Sequence, residues 1–543
     1  MTAAVMALAG CAGDDISGDL IAPRAGGGPA NPPGGIDLSA YAYVLVAGDR
    51  GGNLNFYGDN GIDFVEPISS PEDAVSPLTL SLTNELGEPY GLGDTVQAHD
   101  SFGGHWLLVV LSSGVFDELG EPVGGGVAMI DMATLTLSHV IPLRSDFTAL
   151  PSRPGRAMLS PDGMALWVAN LGPEDDLSTT DVNEAEGDDT MFVVNIDEPS
   201  TPIEVPVGDG PIGGAFAQFV DGGADVNNWF VNLNSTSQTV TVFDYIDPLN
   251  PMQVGDVLDL NGHLRPKADG TFPKRNLPGG VAYSPLSGKF YIGITPGTDV
   301  AVATIDAKTE SGDIPMLDVD SFKTAKAGGL IPAAGYVKTS ADGRWVFTTG
   351  WLKGATPAEA QGYLSVIDAS IDGVADVVPL GNLASSSFNI VEDGVSIRVY
   401  VAGADRTLKQ AEFDGILNSQ VAMVNIDMET GARIPNDLGE DVTYIDVVKG
   451  GSPRDMSMTT LGEHLFVPGG NARECQDVSE GLVEAGSNGC SRISVVDTAS
   501  NSTLVEVYTL GTEPTWLSVF DAASFAAEAA VVDGGTDHGG AHH

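Results

Sequence analysis

Cationic residues are scarce in this sequence, and several of them immediately precede segments that are predicted as strands. The 543 residues include 24 Lys and Arg against 74 Asp and Glu, giving a net charge of −50. A guanidinium forms paired hydrogen bonds with planar anions, so these residues could bind a carboxylate, a phosphate or an acidic partner loop. The alternative is that each caps loop carbonyls or pairs with a local acid such as Asp455. The candidates for anion binding are Arg153, Arg156, Lys274, Arg275 and Arg454.

An acidic segment forms the second group of candidate ligands. Ca²⁺ prefers clustered carboxylate oxygens, and calcium is the one cofactor that the sequence suggests. The spacing departs from the EF-hand pattern, because Ala185 stands where a ligand is required. A solvated acidic loop is therefore the alternative. The segment contains Glu174, Asp175, Asp176, Asp181, Glu184, Glu186, Asp188 and Asp189, of which the five Asp residues are the calcium candidates.

Other cofactor and catalytic signals are weak. The tail residues His538, His542 and His543 could bind a divalent metal loosely, or not at all. The sequence contains no Cys-x-x-Cys-His haem motif, no Gly-x-Ser-x-Gly turn and no Gly-x-x-x-x-Gly-Lys loop. Residues 208–213 match the Gly-x-Gly-x-x-Gly pattern of dinucleotide-binding loops. A strand-like segment follows where dinucleotide binding requires a helix, so these residues are predicted to form a turn. The negative charge repels phosphate and excludes nucleic acid as a partner. No catalytic residue is assigned.

The three cysteines indicate an exported protein with a lipid anchor. Residues 1–11 are apolar and end in Leu-Ala-Gly-Cys, which resembles the lipobox of bacterial lipoproteins, with Cys11 as the lipidated residue. A chance Cys in an ordinary apolar start is the alternative. Residues 12–38 are rich in Gly and Pro and predict a flexible tether. Cys475 and Cys490 bracket a polar loop; we expect a disulfide there, with two free thiols as the alternative. The expected location is the bacterial cell envelope, periplasmic or on the cell surface, with the lipid as the only membrane contact.

A repeated unit of short apolar segments organises residues 39–520. Its clearest copy contains the turn Ser160-Pro161-Asp162-Gly163, in which Pro and Gly favour a reversal between two strands. Such a unit leaves apolar faces on both sides, and stacking the units in a closed ring buries those faces. A later segment of each unit ends in an apolar residue followed by Asp. These endings are Ile130-Asp131, Ile196-Asp197, Phe243-Asp244, Ile305-Asp306, Ile367-Asp368, Ile426-Asp427 and Val496-Asp497.

The repeat predicts an all-β fold, a single β-propeller of four-stranded blades. Eight blades are favoured, and seven result if the weak first unit is accessory. The first unit lacks an inner strand, whereas a spare apolar segment follows the last unit. We expect Trp516 to Phe520 to complete the first blade and close the ring. Residues 521–543 are expected to form a short helix and a His-containing tail, and the protein is expected to be a monomer.

The units resemble the YVTN family of β-propellers, with the best matches at residues 160–170 and 494–498. Two units, residues 191–205 and 240–254, also look like LVIVD repeats. The resemblance implies a bacterial propeller lipoprotein and specifies a blade rather than an activity. We expect a scaffold without catalysis that binds an envelope protein or an extended ligand at a channel mouth. The alternative is a propeller enzyme, a lactonase-like hydrolase or a periplasmic oxidoreductase subunit, because YVTN-like propellers resemble those enzymes.

Overall fold

The structure is a computed structural model of the chain. It describes residues 43–49, 52–59, 65–67, 69–70, 73–83, 87–98, 106–116, 122–132, 135–143, 153–171, 189–196, 202–217, 227–260, 277–295, 299–308, 314–352, 359–405, 419–447, 456–459, 461–469, 492–508 and 514–521. The predicted export signal, the tether and the chain after residue 521 lie outside these ranges.

The strands form eight antiparallel sheets, which we call blades 1 to 8. Blade 1 contains β1 (Tyr43–Asp49), β2 (Asn53–Asp59), β3 (Val65–Pro67), β4 (Ser69–Ser70), β5 (Asp73–Ser81) and β36 (Pro514–Asp521). Blade 2 contains β6 (Gly91–Ala98), β7 (Trp106–Phe116), β8 (Pro122–Asp131) and β9 (Thr136–Pro142). Blade 3 contains β10 (Arg153–Leu159), β11 (Ala165–Leu171), β12 (Thr190–Asn195) and β13 (Ile203–Pro206). Blade 4 contains β14 (Pro211–Phe216), β15 (Trp229–Asn234), β16 (Thr239–Asp244), β17 (Met252–Gln253) and β18 (Leu258–Asp259).

The second half of the ring repeats this plan. Blade 5 contains β19 (Leu277–Ser284), β20 (Lys289–Thr295), β21 (Val300–Asp306) and β22 (Leu317–Lys323), and a 3-10 turn at Ala325–Ala327 follows it. Blade 6 contains β23 (Tyr336–Thr339), β24 (Trp345–Leu352), β25 (Gln361–Asp368) and β26 (Gly373–Pro379). Blade 7 contains β27 (Leu383–Glu392), β28 (Ser396–Asp405), β29 (Ser419–Asp427), β30 (Arg433–Ile434) and β31 (Thr443–Asp446). Blade 8 contains β32 (Ser457–Met458), β33 (His464–Gly469), β34 (Arg492–Asp497) and β35 (Ser502–Tyr508).

The blades close into a ring, and the C-terminal strand completes the first of them. Strand β36 pairs antiparallel with β1, with Leu45 opposite Val519. The apolar core divides into eight clusters, one between each pair of neighbouring blades. The closing cluster contains Leu45 and Tyr57 of blade 1, Phe466 of blade 8 and Leu517 of β36. Eight blades and closure by the C-terminal strand, both expected from the sequence, are therefore confirmed.

Three blades depart from the simple four-stranded plan at their outer edge. In blade 4, both β17 and β18 pair with β16, and in blade 7, both β30 and β31 pair with β29. The fourth strand is thus split in two, with glycines at positive φ in the interruptions: Gly255 at 69° and Gly439 at 79°. In blade 1, both β3 and β5 pair with β2, and β4 pairs with β5. These splits lie away from the inner strands and leave the ring geometry unchanged.

The strand order sorts the connections onto two faces of the ring. In a consecutive antiparallel blade, the first-to-second and third-to-fourth turns lie at one end of the strands. We call this end the turn face. The second-to-third connections and the crossings to the next blade begin and end at the opposite end, which we call the loop face. The inner strands, which are the first strand of blades 2 to 8 and β36 in blade 1, therefore run between the two faces.

The turn face is held by side-chain caps on the hairpins. Ser160 is buried, and its hydroxyl donates to Asp162 Oδ1 at 2.6 Å while accepting the Ala165 N–H at 2.9 Å. Gly163 takes a φ of 74°, which the turn requires and a side chain would disfavour. Ser340 makes the same 2.6 Å bond to Asp342 in blade 6. The repeated turn sequence thus stabilises the hairpins between the first and second strands of these blades.

The Asp residue that ends the third strand caps the following turn in the same way. Its carboxylate accepts the backbone N–H two residues later at distances of 2.8 to 3.1 Å. The Thr430 hydroxyl, together with backbone N–H groups, lowers the pKa of Asp427. These recurring acids therefore have a structural role at the turn face. They are Asp244, Asp306, Asp368, Asp427 and Asp497.

Candidate binding channel

The inner strands surround the axis of the ring and have a different charge balance from the rest of the chain. Successive inner strands contact one another, for example β36 with β6, β6 with β10 and β19 with β23. The eight inner strands carry three cationic and three acidic residues, whereas the whole chain has 24 and 74. The described inner strands therefore carry equal numbers of cationic and acidic residues within a strongly acidic protein. The six residues are Arg153, Arg156, Lys338, Asp94, Glu392 and Asp521.

Arg156 lies on β10, the inner strand of blade 3. Its side chain is exposed, and a bulge between Pro154 and Arg156 interrupts the regular pairing of β10 with β11. The Cβ and Cδ atoms of Arg156 lie 3.7 and 3.8 Å from the point that a Cβ on Gly213 would occupy. The arginine therefore extends along the inner strand of blade 4, where glycine leaves room for it. Arg153 begins the same strand, at the loop face.

Lys338 lies on β23, the inner strand of blade 6, and is held against blade 7. Its ammonium donates a hydrogen bond to Asn389 Oδ1 on β27 and lies 5.7 Å from the ring centroid of Phe388. The Asn389 amide in turn donates to the Met456 carbonyl at 2.8 Å, immediately before β32 of blade 8. This bond fixes which way the Asn389 amide points. The Lys338 side chain is still exposed, so its positioned ammonium group is accessible to solvent.

Small residues occupy the wall between these two cations. The inner strand of blade 4 includes Gly213 and Gly214, and that of blade 5 includes Gly279 and Gly280. A Cβ on Gly280 would lie 3.2 Å from the Val337 nitrogen, so the inner strands of blades 5 and 6 approach closely here. At the turn-face end of β19, burial raises the pKa of the Tyr283 phenol to about 12, which keeps it neutral. The wall between Arg156 and Lys338 is uncharged.

The other residues proposed from the sequence are placed only in part. Asp189 precedes β12, and its carboxylate accepts the backbone N–H of Gly210. This contact ties blade 3 to the crossing into blade 4. Strand β14 follows residues 208–210, so that motif is a turn between blades, as expected. The remaining candidates lie outside the described residues: Cys11, Asp175, Asp176, Asp181, Asp188, Lys274, Arg275, Arg454, Cys475, Cys490, His538, His542 and His543.

Lys338 and Asn389 are the channel residues that sequence reasoning missed. Lys338 stands two residues before Ser340, which opens the capped turn, and this fixed offset from a repeated turn is the signal that could have placed it on an inner strand. Asn389 is 51 residues further along the chain and belongs to another blade. Its contact with Lys338 depends on how neighbouring blades pack in the closed ring. The repeat pattern predicts the ring but not which residues of two blades meet.

In the described part of the chain, no three His, Cys, Asp or Glu side chains are grouped as metal ligands. Among the residues that the structure describes, no helix has the length and apolar character needed to cross a membrane.

Comparisons with known proteins return structural likenesses only. No protein-family model and no curated protein matches the chain. Hydrazine synthase from Kuenenia stuttgartiensis is 15% identical over 68% of this chain and 93% of its own, with a TM-score of 0.41. A periplasmic gluconolactonase from Pseudomonas aeruginosa is 16% identical over 76% of this chain and 98% of its own, with a TM-score of 0.42. A protein of unknown function from Desulfotomaculum acetoxidans is 10% identical over 88% and 98%, with a TM-score of 0.44. Likenesses at this level do not assign an activity.

Proposed function

We propose that this protein is a lipid-anchored binding propeller of the bacterial cell envelope. Its channel mouth at the loop face binds acidic groups of an envelope protein or of an extended ligand. The observation that supports this role is the charge contrast between the inner strands and the rest of the chain. Three of the 24 cationic residues lie on the inner strands, against three of the 74 acidic ones.

The division of the ring into two faces suits a binding role. Capped turns fix the geometry of the turn face, whereas the connections that begin and end at the loop face differ in length from blade to blade. Binding and specificity residues commonly lie on such connections above a rigid scaffold. The acidic exterior repels anionic groups, so the charge-balanced inner strands, with Arg153 and Arg156 near the channel mouth, are where they can approach. Salt screens exposed charges over about 8 Å at physiological ionic strength, and binding is expected to weaken as salt rises.

The test is partner capture with a matched charge control. Purified mature protein is crosslinked in an envelope extract, and captured proteins are quantified by mass spectrometry for three forms. The wild type is compared with Arg156→Ala plus Arg454→Ala, and with Lys323→Ala plus Lys326→Ala. The second pair removes the same charge at and just after an outer strand. We expect the arginine pair to lower recovery of the specific partner by about tenfold, and the lysine pair to leave it unchanged. Full retention by the arginine variant would overturn the proposal.

Anchoring and catalysis are tested separately. Cys11→Ser should move the protein from the membrane fraction to the soluble fraction without altering its circular dichroism spectrum. Unchanged fractionation would remove the lipid anchor from the proposal. The purified protein should show no turnover of aldonolactones and no electron transfer from dye donors. Saturable turnover that is lost on substitution of a channel residue would replace the binding role with the enzymatic alternative.

A further inference from the structure

We infer that a pocket at the loop face, between blades 6 and 7, binds one ring of a neutral sugar. The pocket has a volume of about 240 Å³ and is partly open to solvent. It is formed by the crossing from β26 to β27 and by β29 and β31 of blade 7. The inference goes beyond the proposed function, because the described residues that line the pocket do not include Arg153 or Arg156. The lining residues are Leu380, Gly381, Asn382, Leu383, Gln420 and Tyr444.

The backbone of the crossing forms one wall of the pocket and is fixed in place. The Gly381 carbonyl accepts hydrogen bonds from the Gly362 N–H at 2.8 Å and from the Gln361 side-chain amide at 3.0 Å. Leu380 and Leu383, which flank this part of the crossing, are buried in the apolar cluster between blades 6 and 7. The wall therefore has its shape before a ligand binds, which lowers the entropy cost of binding.

Tyr444 and Gln420 line the pocket from blade 7. Tyr444 is 46% exposed, and its hydroxyl lies 2.9 Å from the point that a Cβ on Gly381 would occupy. Burial raises the pKa of this phenol, and no described residue forms a hydrogen bond with it. The Gln420 amide donates one long hydrogen bond to Asp446 Oδ1 at 3.5 Å, and its carbonyl oxygen accepts none from the described residues. Both side chains can therefore exchange hydrogen bonds with the hydroxyl groups of a ligand.

The chemistry of the lining indicates the class of ligand. The described residues that line the pocket include no Asp, Glu, Lys, Arg or His, so an ion that entered it would lose water without gaining a countercharge. An aromatic ring beside amide groups suits a molecule that has both C–H groups and hydroxyls, because the ring contacts the former and the amides bind the latter. Pockets for drug-sized ligands measure about 300 to 1,000 Å³, so this smaller pocket fits a single ring. A neutral sugar ring meets these conditions.

The experiment is a ligand-observed NMR titration of the full chain with the methyl glycosides of glucose, galactose and N-acetylglucosamine. We expect at least one of them to bind saturably with a Kd of about 1 mM, and glucuronate and glucosamine to bind at least about tenfold more weakly. Gly381→Ala places a methyl group against the Tyr444 hydroxyl and should lower the affinity by at least about tenfold. Gly394→Ala is the matched control, because Gly394 also has a positive φ but its added methyl group would have no atom within 4 Å. It should leave the affinity unchanged.

Side-chain variants keep the inference testable if Gly381→Ala fails to fold. Tyr444→Phe keeps the ring and removes the hydroxyl, so it should lower the affinity by about two- to tenfold, and Gln420→Leu should have an effect of similar size. Tyr444→Ala also removes the ring and should abolish saturable binding. Gln253→Leu removes an amide from the outer edge of blade 4 and should leave the affinity unchanged.

Three results would overturn the site. They are the absence of saturable binding by all three glycosides, equal affinity in Gly381→Ala and Gly394→Ala, and binding of glucuronate or glucosamine as tight as that of the best glycoside. Arg156→Ala should leave glycoside binding unchanged, and Gly381→Ala should leave capture of the channel-mouth partner unchanged. The sugar site and the proposed function therefore fail independently.

Discussion

The ion pair between Arg433 and Asp376 joins the outer strands of blades 6 and 7, and breaking it should destabilise the ring. The Asp376 carboxylate accepts hydrogen bonds from Arg433 Nε at 2.9 Å, Arg433 Nη2 at 2.7 Å and the Arg433 backbone N–H at 3.0 Å. The guanidinium also donates to Asp441 at 3.0 Å and to the Val377 carbonyl at 2.9 Å. The Asp376 side chain is 16% exposed and that of Arg433 is 28% exposed. When one partner is removed, water can therefore replace only part of the hydrogen bonds that the other partner loses.

The expected magnitude lies between two limits. Removing one partner of a fully buried pair costs about 3 to 5 kcal/mol, and an exposed pair contributes at most about 1 kcal/mol. For Asp376→Asn we expect the free energy of unfolding to fall by about 2 kcal/mol at pH 7. The assay is urea unfolding followed by tryptophan fluorescence, with a double-mutant cycle that adds Arg433→Met.

The stabilisation that Asp376 provides should depend on pH. Burial opposes ionisation of Asp376, but the hydrogen bonds from Arg433 outweigh it, so the pKa of the carboxyl is lowered. An acid with a lowered folded-state pKa stabilises the protein above its unfolded pKa of about 3.9 and loses that contribution as pH falls through the folded value. The difference between wild type and Asp376→Asn should therefore be full at pH 7 and shrink in strong acid.

A matched control makes the prediction refutable. Lys323 and Asp320 form an ion pair at 3.0 Å whose side chains are 45% and 84% exposed. The cycle of Lys323→Met with Asp320→Asn should give a coupling energy below about 0.5 kcal/mol. A coupling energy for Arg433 and Asp376 as small as this control would refute the reasoning, as would a difference that persists unchanged at low pH.

Two further predictions concern the turn face. Gly431 has a φ of 70°, and a Cβ there would lie 2.4 Å from the Trp345 ring, so Gly431→Ala should lower the free energy of unfolding by about 3 kcal/mol. Gly394 has a φ of 84°, but a Cβ there would have no atom within 4 Å, so Gly394→Ala should lower it by only about 1 kcal/mol. Equal urea midpoints for the two variants would contradict this. Ser340→Ala removes the acceptor of the Trp345 N–H and should cost about 1 to 3 kcal/mol in the same assay; an unchanged midpoint would show that the cap is not needed.

Much of the architecture could be predicted from the sequence because it depends on local patterns. The Ser160 turn, six of the seven apolar-Asp endings and the spare strand β36 each have a local signature and lie where the pattern placed them. In the remaining unit the third strand ends at Asn195, and Asp197 lies outside the described residues. The split outer strands were not predicted, because short edge segments have little periodicity. The contact between Lys338 and Asn389 joins residues 51 apart in different blades, so its geometry depends on ring closure. The anion-binding role of the channel remains a proposal.

The channel exists only if β36 closes the ring, and a disulfide crosslink measures that closure directly. Ala47 and Leu517 are register partners on β1 and β36, and both are buried in the closing cluster. Adjacent antiparallel partners lie about 4.5 to 5.5 Å apart between Cα atoms, within disulfide range. Ala47→Cys with Leu517→Cys should form a crosslinked peptide pair on mild oxidation, whereas Ala47→Cys with Val519→Cys should not. Equal yields from the two pairs, or no crosslink from the first, would contradict it.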